Sequence, residues 1–90
     1  MRTVYKYQLQ IIDGPQKIEV PNDAKVVHCA VQDGIICLWM DLYTMNSTET
    51  RKFCVIGTGR SIRGDETWIG TVLMPPFVWH IYEQGKKPCQ

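Results

Sequence analysis

The residues best suited to chemistry lie in one short stretch, residues 57–65, which reads Gly-Thr-Gly-Arg-Ser-Ile-Arg-Gly-Asp. Glycines let main-chain N–H groups approach an anion closely, and arginine can grip a phosphate with two parallel hydrogen bonds. Arg51 and Lys52 lie just before the adjoining strand and add to the basic character of this region. We therefore predict an anion-binding loop, suited to a phosphate, a nucleotide or an acidic protein surface. Its predicted ligand-binding residues are Gly57, Thr58, Gly59, Arg60, Ser61 and Arg63.

The same stretch matches neither the lysine-containing phosphate loop nor the dinucleotide fingerprint, and no clear helix follows it. A flexible turn with solvated charges therefore remains the alternative interpretation. Three tryptophans and four tyrosines could supply a stacking or protein-binding surface where they are exposed.

Other residue types that carry chemistry are present without the spacing that chemistry needs. His28 and His80 lie in predicted strands, and no Asp, Glu or Cys spacing supports metal binding beside them. Neither Ser47 nor Ser61 lies in a nucleophile motif. We predict structural, hydrogen-bonded histidines, no catalytic residue, no metal and no cofactor, and we predict that the protein is not an enzyme.

The four cysteines form no CxxC pair, which argues against zinc, and we expect no native disulfides. Cys29, Cys37 and Cys54 are predicted to be small apolar core residues, and Cys89 a thiol in the tail. The first residues lack the apolar segment of a secretion signal, and the longest apolar run, residues 35–40, is far below the roughly 20 residues that span a bilayer. These features predict a cytosolic chain without a membrane segment.

Composition and punctuation predict one β-rich domain. The chain is 44% hydrophobic and carries a net charge of +1, which is typical of a globular domain and argues against a strongly basic nucleic-acid binder. Turn-forming residues separate short runs rich in Val, Ile, Thr and aromatic side chains. We predict a mainly β fold: a small antiparallel sandwich or partly open barrel of about six to seven strands. The predicted domain is residues 1–83, followed by a flexible tail, residues 84–90, and residues 59–66 could form one short helix.

The predicted strands follow from alternation of side chains. In residues 3–11 the odd positions are apolar or aromatic apart from Thr3, which predicts one buried face. Asp13-Gly14 suggests a hairpin between this strand and residues 16–20. The remaining strands are predicted at residues 25–43 (a hairpin), 50–56, 67–74 and 77–83. Within residues 67–74, Gly70 is expected to mark a bulge or a close approach of another backbone.

The hairpin in residues 25–43 is the strongest local signal. Asp33-Gly34 supplies the positive φ angles that a two-residue type I′ turn requires, so Gln32 should face Ile35. The register then follows pair by pair: on one face Val31–Ile36, Cys29–Leu38 and Val27–Met40, and on the other Ala30–Cys37, His28–Trp39 and Val26–Asp41.

The last predicted strand is apolar or amphipathic on both faces, which indicates a central strand or an oligomer contact. If the second interpretation holds, the interface residues are Phe77, Trp79, Ile81 and Tyr82.

Five segments, in order along the chain, resemble a family of short proteins of unassigned function found largely in bacteriophages and prophages. The segments are Thr3-Val4-Tyr5-Lys6-Tyr7, Cys37-Leu38-Trp39, Phe53-Cys54-Val55-Ile56-Gly57-Thr58-Gly59, Trp68-Ile69-Gly70-Thr71 and Phe77-Val78-Trp79-His80-Ile81-Tyr82-Glu83. The family has no established active site, so no catalytic residue carries over. This chain departs from the usual pattern in a shorter acidic stretch in the middle and a more basic loop after Gly59.

The resemblance implies a phage accessory protein in the host bacterial cytoplasm, and such proteins often bind host factors, including defence systems. Two functional hypotheses follow. The first is a non-catalytic, anti-defence binding protein that sequesters an anionic small ligand such as a nucleotide signal, or blocks a host protein. The second is a homo-oligomeric structural or assembly protein of a phage that uses the last strand as its interface.

Overall fold

A computed structural model describes residues 1–85, which form seven β-strands and no helix. Residues 58–65 form a loop of turns where a short helix was an alternative. The strands form two antiparallel sheets that do not close into a barrel, so the predicted mainly β fold is confirmed. Their bounds are β1 (Arg2–Leu9), β2 (Gln16–Pro21), β3 (Lys25–Gln32), β4 (Ile35–Tyr43), β5 (Thr48–Gly57), β6 (Glu66–Met74) and β7 (Phe77–Gln84).

The first two strands lie in different sheets. One sheet has the order β1-β4-β3 and the other β2-β5-β7-β6. The hairpin expected between β1 and β2 at Asp13-Gly14 is therefore wrong: β1 pairs with β4, and β2 pairs with β5. The loop of residues 10–15 crosses from one sheet to the other. This loop forms one wall of the candidate site.

The β3–β4 hairpin forms as its turn predicts. Asp33 and Gly34 have φ angles of 53° and 76°, as the type I′ turn requires, and Gln32 lies opposite Ile35. The predicted register is confirmed as far as His28, which lies opposite Trp39.

A bulge then overturns the rest of that register. Val26, not Val27, lies opposite Met40, and Lys25 takes the place opposite Asp41. The extra residue turns Val27 out to solvent, where 54% of its surface is exposed.

Gly70 lies at a bulge in β6 and at a close contact between the two sheets. The pairing of β6 with β7 shifts by one residue between Trp68 and Gly70, which confirms the predicted bulge. A Cβ atom at Gly70 would lie 3.2 Å from both the Cβ and the Sγ of Cys29, on β3 of the other sheet. The neighbour at Gly70 is thus a side chain and not another backbone, and a methyl group here would require Cys29 to shift by a few tenths of an ångström.

Both sheets bury one face in a shared core. On β4 the core-facing side chains, those of Ile36, Leu38, Met40 and Leu42, are all buried, and the opposite sheet contributes residues from β2, β5, β6 and β7. The fully buried side chains include Val20, Ile36, Leu38, Met40, Leu42, Phe53 and Ile81. On β1 the predicted inward face is confirmed at Leu9, whereas Tyr5 is exposed; Ile11 lies beyond the strand and is exposed too.

The end of the described chain is ordered further than predicted. Gln84 belongs to β7, and the N–H of Gly85 donates a hydrogen bond to the carbonyl of Asp65. The rest of the predicted tail, residues 86–90 with Cys89, lies outside the described residues. Since residues 1–85 contain no helix, none of them forms a membrane-spanning helix.

Candidate ligand-binding cleft

The candidate site is built on the open end of β5. β2 pairs with β5 only as far as Phe53, which lies opposite Gln16. β5 continues to Gly57 with β7 along its other side. Among the described residues, 54–57 therefore have a strand neighbour on one side only, because β2 begins at Gln16 and the loop before it turns away from β5.

Two loops enclose a cleft of about 580 Å³ beside this open edge. This volume lies within the range of about 300–1,000 Å³ that small-molecule sites occupy. The loop of residues 10–15 supplies Ile11, Ile12 and Asp13, and the loop of residues 58–65 supplies Arg60, Ser61 and Arg63. The floor is formed by residues 54–57 of β5 and by Trp79 of β7.

The loop of residues 10–15 is closed at its base by a reciprocal pair of hydrogen bonds. The main-chain N–H of Gln10 donates to the side-chain oxygen of Gln16, and the Gln16 amide donates to the Gln10 carbonyl, both at 2.8 Å. Gly14 permits the reversal because its φ of 80° is easily reached only by glycine. Ile11 and Ile12 are thereby held with 47% and 42% of their surfaces exposed at the cleft wall.

The loop of residues 58–65 is held by its main chain, which leaves its basic side chains free. The N–H of Arg60 donates to the carbonyl of Gly57 at 3.1 Å, and Gly59, with a φ of 89°, allows this turn. The N–H of Arg63 donates to the carboxylate of Glu66 at 2.8 Å. The loop thus has a defined path although neither guanidinium contributes to holding it.

The cleft is lined by two arginines, Arg60 and Arg63, and two acids, Asp13 and Glu66, and neither arginine is strongly paired. The guanidinium of Arg60 lies 3.9 Å from the carboxylate of Asp13, and both side chains are largely exposed, so this pair contributes little. The guanidinium of Arg63 forms no ion pair within residues 1–85. Glu66, the other acid at the cleft, already accepts hydrogen bonds from the N–H of Arg63 and the thiol of Cys54.

The thiol of Cys54 is chemically quiet. Burial, reinforced by a 2.9 Å hydrogen bond to Glu66, raises the pKa of Cys54 to about 12. The thiolate is the nucleophilic form of cysteine, and at neutral pH almost none of it is present. The one cysteine at the cleft therefore lacks the protonation state that covalent catalysis requires.

Trp79 lies beneath the glycine that ends β5. A Cβ atom at Gly57 would lie 3.3 Å from Cζ3 of the indole, so the glycine and the six-membered ring fit against each other tightly. The indole N–H, on the opposite edge of the ring, is the one buried side-chain polar group without a hydrogen-bond partner among the described residues. The ring thus supplies an apolar floor to the cleft at Gly57.

Comparison with known proteins gives a family and no function. A family model described as a domain of unknown function, DUF7352, matches residues 1–89. The chain belongs to this family. No curated protein and no solved structure matches the chain. The matched range contains both sheets and both loops, so the cleft lies within the part of the chain that matches the family.

Most of the predicted ligand-binding residues come together in this DUF7352 cleft. Gly57, Arg60, Ser61 and Arg63 all line it. Gly59 shapes the turn between them. Thr58 points elsewhere: its hydroxyl lies 2.8 Å from Nε2 of His80 on the outer face of the sheet.

Arg51 does not belong to the basic region predicted around the loop. Its guanidinium is buried, makes two hydrogen bonds to the Glu83 carboxylate at 2.7 and 2.8 Å, and donates to the carbonyl of Ala24 at 2.5 Å. The bond to Glu83 raises the pKa of Arg51 further above its ordinary value. This arginine is a structural element that ties β5 to β7 and to the loop after β2, and it does not serve the cleft.

The four predicted interface residues differ in burial and do not share one face. β7 lies between β5 and β6, so the expectation of a central strand is confirmed. Ile81 is fully buried in the core and cannot contact a partner, and Trp79 is half-buried beside the cleft. Tyr82 lies on the opposite face, half-buried, and Phe77 is 58% exposed at the end of the sheet.

Both histidines have the hydrogen-bonding or packing partners that structural residues have. The ring of His28 lies 5.4 Å from that of Trp39, as predicted. His80 lies between two threonine hydroxyls, with Nε2 2.8 Å from Thr58 and Nδ1 3.1 Å from Thr71. No group of three or more metal-ligating side chains forms within residues 1–85.

The other wall of the cleft was missed from the sequence. Ile11 and Ile12 are adjacent, and two adjacent apolar residues in an alternating strand cannot both face the core. That pair, directly before Asp13-Gly14, was the available signal for an exposed apolar wall. Nothing local to the sequence indicated that this wall would face residues 60–63, which are some fifty positions away.

Proposed function

We propose that this DUF7352 domain is a non-catalytic binding protein whose cleft holds a small anionic ligand, with nucleotides as the best-matched class. The observation that carries the proposal is the pair of exposed guanidiniums, Arg60 and Arg63, at the rim of a ligand-sized cleft with apolar walls. Arginines bind phosphate through paired, charge-assisted hydrogen bonds. The exposed Ile11 and Ile12 offer the apolar surface that the uncharged part of such a ligand needs.

The absence of a catalytic role is supported by the groups nearest the cleft. Cys54 keeps its proton, and Glu66 is engaged by two donors. His80 is held between two threonines on the outer face of the sheet. The carboxylate within hydrogen-bond reach of the Cys54 thiol, that of Glu66, raises the pKa of the thiol and so disfavours the nucleophilic thiolate, which favours binding over covalent chemistry.

The resemblance to phage proteins supports a context for this binding. We propose that the domain acts in the cytoplasm of a host bacterium, where capture of a nucleotide signal would interfere with a defence system. The alternative partner for the same arginines is an acidic surface of a host protein. Binding of a nucleotide at the cleft would favour the small ligand over the protein.

Homo-oligomer formation is a second candidate, favoured by a specific surface. Leu73 and Phe77, at the tip of the β6–β7 hairpin, are 70% and 58% exposed. Leu73 lies opposite Val78 and Phe77 opposite Met74, so the two side chains leave the hairpin on opposite faces and make both faces of its tip apolar. Exposed apolar surface at the tip of a hairpin favours association between copies. If this tip is an interface, light scattering with size exclusion will show a dimer or larger species that Leu73→Ser with Phe77→Ser converts to monomer; a monomeric wild-type protein removes this candidate.

The binding proposal is tested by a thermal-shift screen of the full chain against linear and cyclic nucleotides. A ligand present at 100 times its dissociation constant stabilises the fold by about 2.7 kcal/mol, which moves the Tm of a domain this small by several degrees. The Arg60→Ala, Arg63→Ala double variant should melt near the wild-type temperature and lose the shift.

A matched control is available in the same sheet. Lys17 and Lys52 lie opposite each other on β2 and β5, both exposed and neither lining the cleft. Lys17→Ala with Lys52→Ala removes the same amount of charge and should leave the ligand-induced shift unchanged. An equal loss in both double variants would mean that net charge, not the cleft, attracts the ligand, and no shift with any nucleotide would refute the proposal.

A further inference from the structure

The floor of the cleft contains main-chain hydrogen-bonding groups that have no strand opposite them. Pairing with β2 ends at Phe53, and beyond it the described part of the chain provides no strand along that edge. Every residue of an antiparallel strand directs its N–H and C=O to one side, and successive residues alternate. Of residues 54–57, every second one therefore directs both groups into the cleft.

The position of Gly57 indicates which residues these are. Its carbonyl accepts the N–H of Arg60, a loop residue at the cleft, so the carbonyl is turned away from β7. Val55, two residues earlier, is turned the same way. Its side chain belongs to the core, so the part of Val55 available to the cleft is its main chain.

We propose that the main chain of Val55 and Gly57 reads the hydrogen-bonding edge of a nucleobase while Arg60 and Arg63 hold the phosphate of the same nucleotide. The Val55 carbonyl accepts from the base and the Gly57 N–H donates to it, which fits any base whose edge has a donor next to an acceptor. Ile11 and Ile12 line the cleft beside this edge and contact the base face. The inference rests on the proposed function and names its ligand class.

The short length of the free edge favours a base over an added peptide strand. Residues 55 and 57 span about 7 Å at the rise of a strand. At one end the edge is covered by the pairing of Phe53 with Gln16, and at the other the Gly57 carbonyl is already used. An added strand gains its affinity from several successive main-chain pairs. A single planar ring needs only the pair that is available here.

The test compares dissociation constants, measured by calorimetry on the full chain, for three sets of probes. The first set is the 5′-diphosphates of adenosine, guanosine, cytidine and uridine. The second is the same nucleotides carrying a methyl group on the ring nitrogen of the hydrogen-bonding edge. The third is ribose 5-phosphate and inorganic pyrophosphate, which have phosphate and no base.

At least one unmodified nucleotide is expected to bind tenfold or more tightly than pyrophosphate, and its edge-methylated form to lose at least tenfold. If methylated and unmodified nucleotides bind equally tightly, or if pyrophosphate binds as tightly as the nucleotides, the main chain does not contact the base. The anion site formed by the arginines would remain supported in either case. Failure of every phosphate-bearing probe refutes the proposed function and this inference together. Binding of an acidic peptide in that case would assign the arginines to a protein partner.

A spectroscopic readout locates the contact independently of affinity. In two-dimensional amide spectra, saturation with the tightest nucleotide should shift the Gly57 amide proton downfield, as a new hydrogen bond does. The Arg60→Ala, Arg63→Ala variant should need far more ligand to reach the same shift. Shifts confined to residues 60–63, with Gly57 unmoved at saturation, would contradict the main-chain contact.

Discussion

At the scale of single residues, the buried ion pair of Arg51 and Glu83 is a place where the loss of one side chain should strongly destabilise the fold. Both side chains are almost completely buried, at 7% and 4% exposure, and the guanidinium binds the carboxylate through two nitrogens. The pair adds little net stability, because desolvating two charges offsets most of their attraction. Loss of one partner is different, since it leaves the other as an unpaired buried charge.

Glu83→Gln should therefore lower the free energy of unfolding by about 3–5 kcal/mol, although the side chain keeps its size. Arg51→Met combined with Glu83→Leu replaces the pair by apolar groups and should lose much less. Urea denaturation of the three proteins measures both effects. If the double variant loses as much as Glu83→Gln, an unpaired charge is not the cause.

Cys54 provides a second prediction at this scale. Because burial and the bond to Glu66 raise the pKa of Cys54 to about 12, its thiolate fraction at pH 8 should be roughly a thousandfold below that of a free cysteine. Alkylation by iodoacetamide, followed at this residue by mass spectrometry, should be correspondingly slow. Glu66→Gln removes the carboxylate that holds the proton on Cys54, so it should lower the pKa of Cys54 and speed its alkylation. If Cys54 in the folded wild-type protein is alkylated as fast as in an unfolded control, the prediction is wrong.

At the scale of elements, Gly70 determines how closely the two sheets approach. A methyl group there would meet the Cβ and Sγ of Cys29 at 3.2 Å, nearer than side-chain atoms normally come. Gly70→Ala should therefore force β3 and β6 apart and destabilise the fold by about 1–3 kcal/mol, the usual effect of overpacking.

A double-mutant cycle isolates this contact. Cys29→Ala removes the sulfur, one of the two crowded atoms, so Gly70→Ala should be less destabilising in that background than in the wild type. Denaturation midpoints of the four proteins provide the comparison. Strict additivity of the two substitutions would show that the sulfur does not limit the approach of the sheets.

The extent to which elements could be predicted depended on whether their signals were local. Asp33-Gly34 defines a turn by its backbone preferences, so the β3–β4 register was predicted correctly from Gln32 to His28. The bulge between Val26 and His28 could not be predicted, because Val26 and Val27 are the same residue type and the sequence pattern does not show which of them faces the core. Gly70 was recognised because a glycine within a strand is itself unusual.

Sites composed of distant segments were predicted only in part. The glycine and arginine loop was identified from residue types, and four of its six residues line the cleft. Arg51 was misassigned, because its nearness in sequence to the loop does not reveal that it faces Glu83. Ile81 was assigned to an interface because alternation identifies a face without saying whether it points into the core.

At the scale of the whole molecule, the cleft follows from the order of strands in the two sheets. Placing β1 and β2 in different sheets sends the loop of residues 10–15 across the open end of β5. The same topology brings the loop of residues 58–65 to the opposite wall. A hairpin between β1 and β2 would have paired the two strands and removed the crossing loop that walls the cleft. The cleft is thus a consequence of the fold and needs no dedicated domain.

The central claim is that a small anion occupies this cleft on Arg60 and Arg63. The most direct measurement is a crystal structure of the full chain with a nucleoside diphosphate at a saturating concentration. We expect phosphate oxygens within hydrogen-bond distance of both guanidiniums, with the rest of the ligand between Ile11 and the edge of β5. A ligand bound at Lys17 and Lys52, or an empty cleft at a concentration that saturates binding in solution, would contradict this expectation.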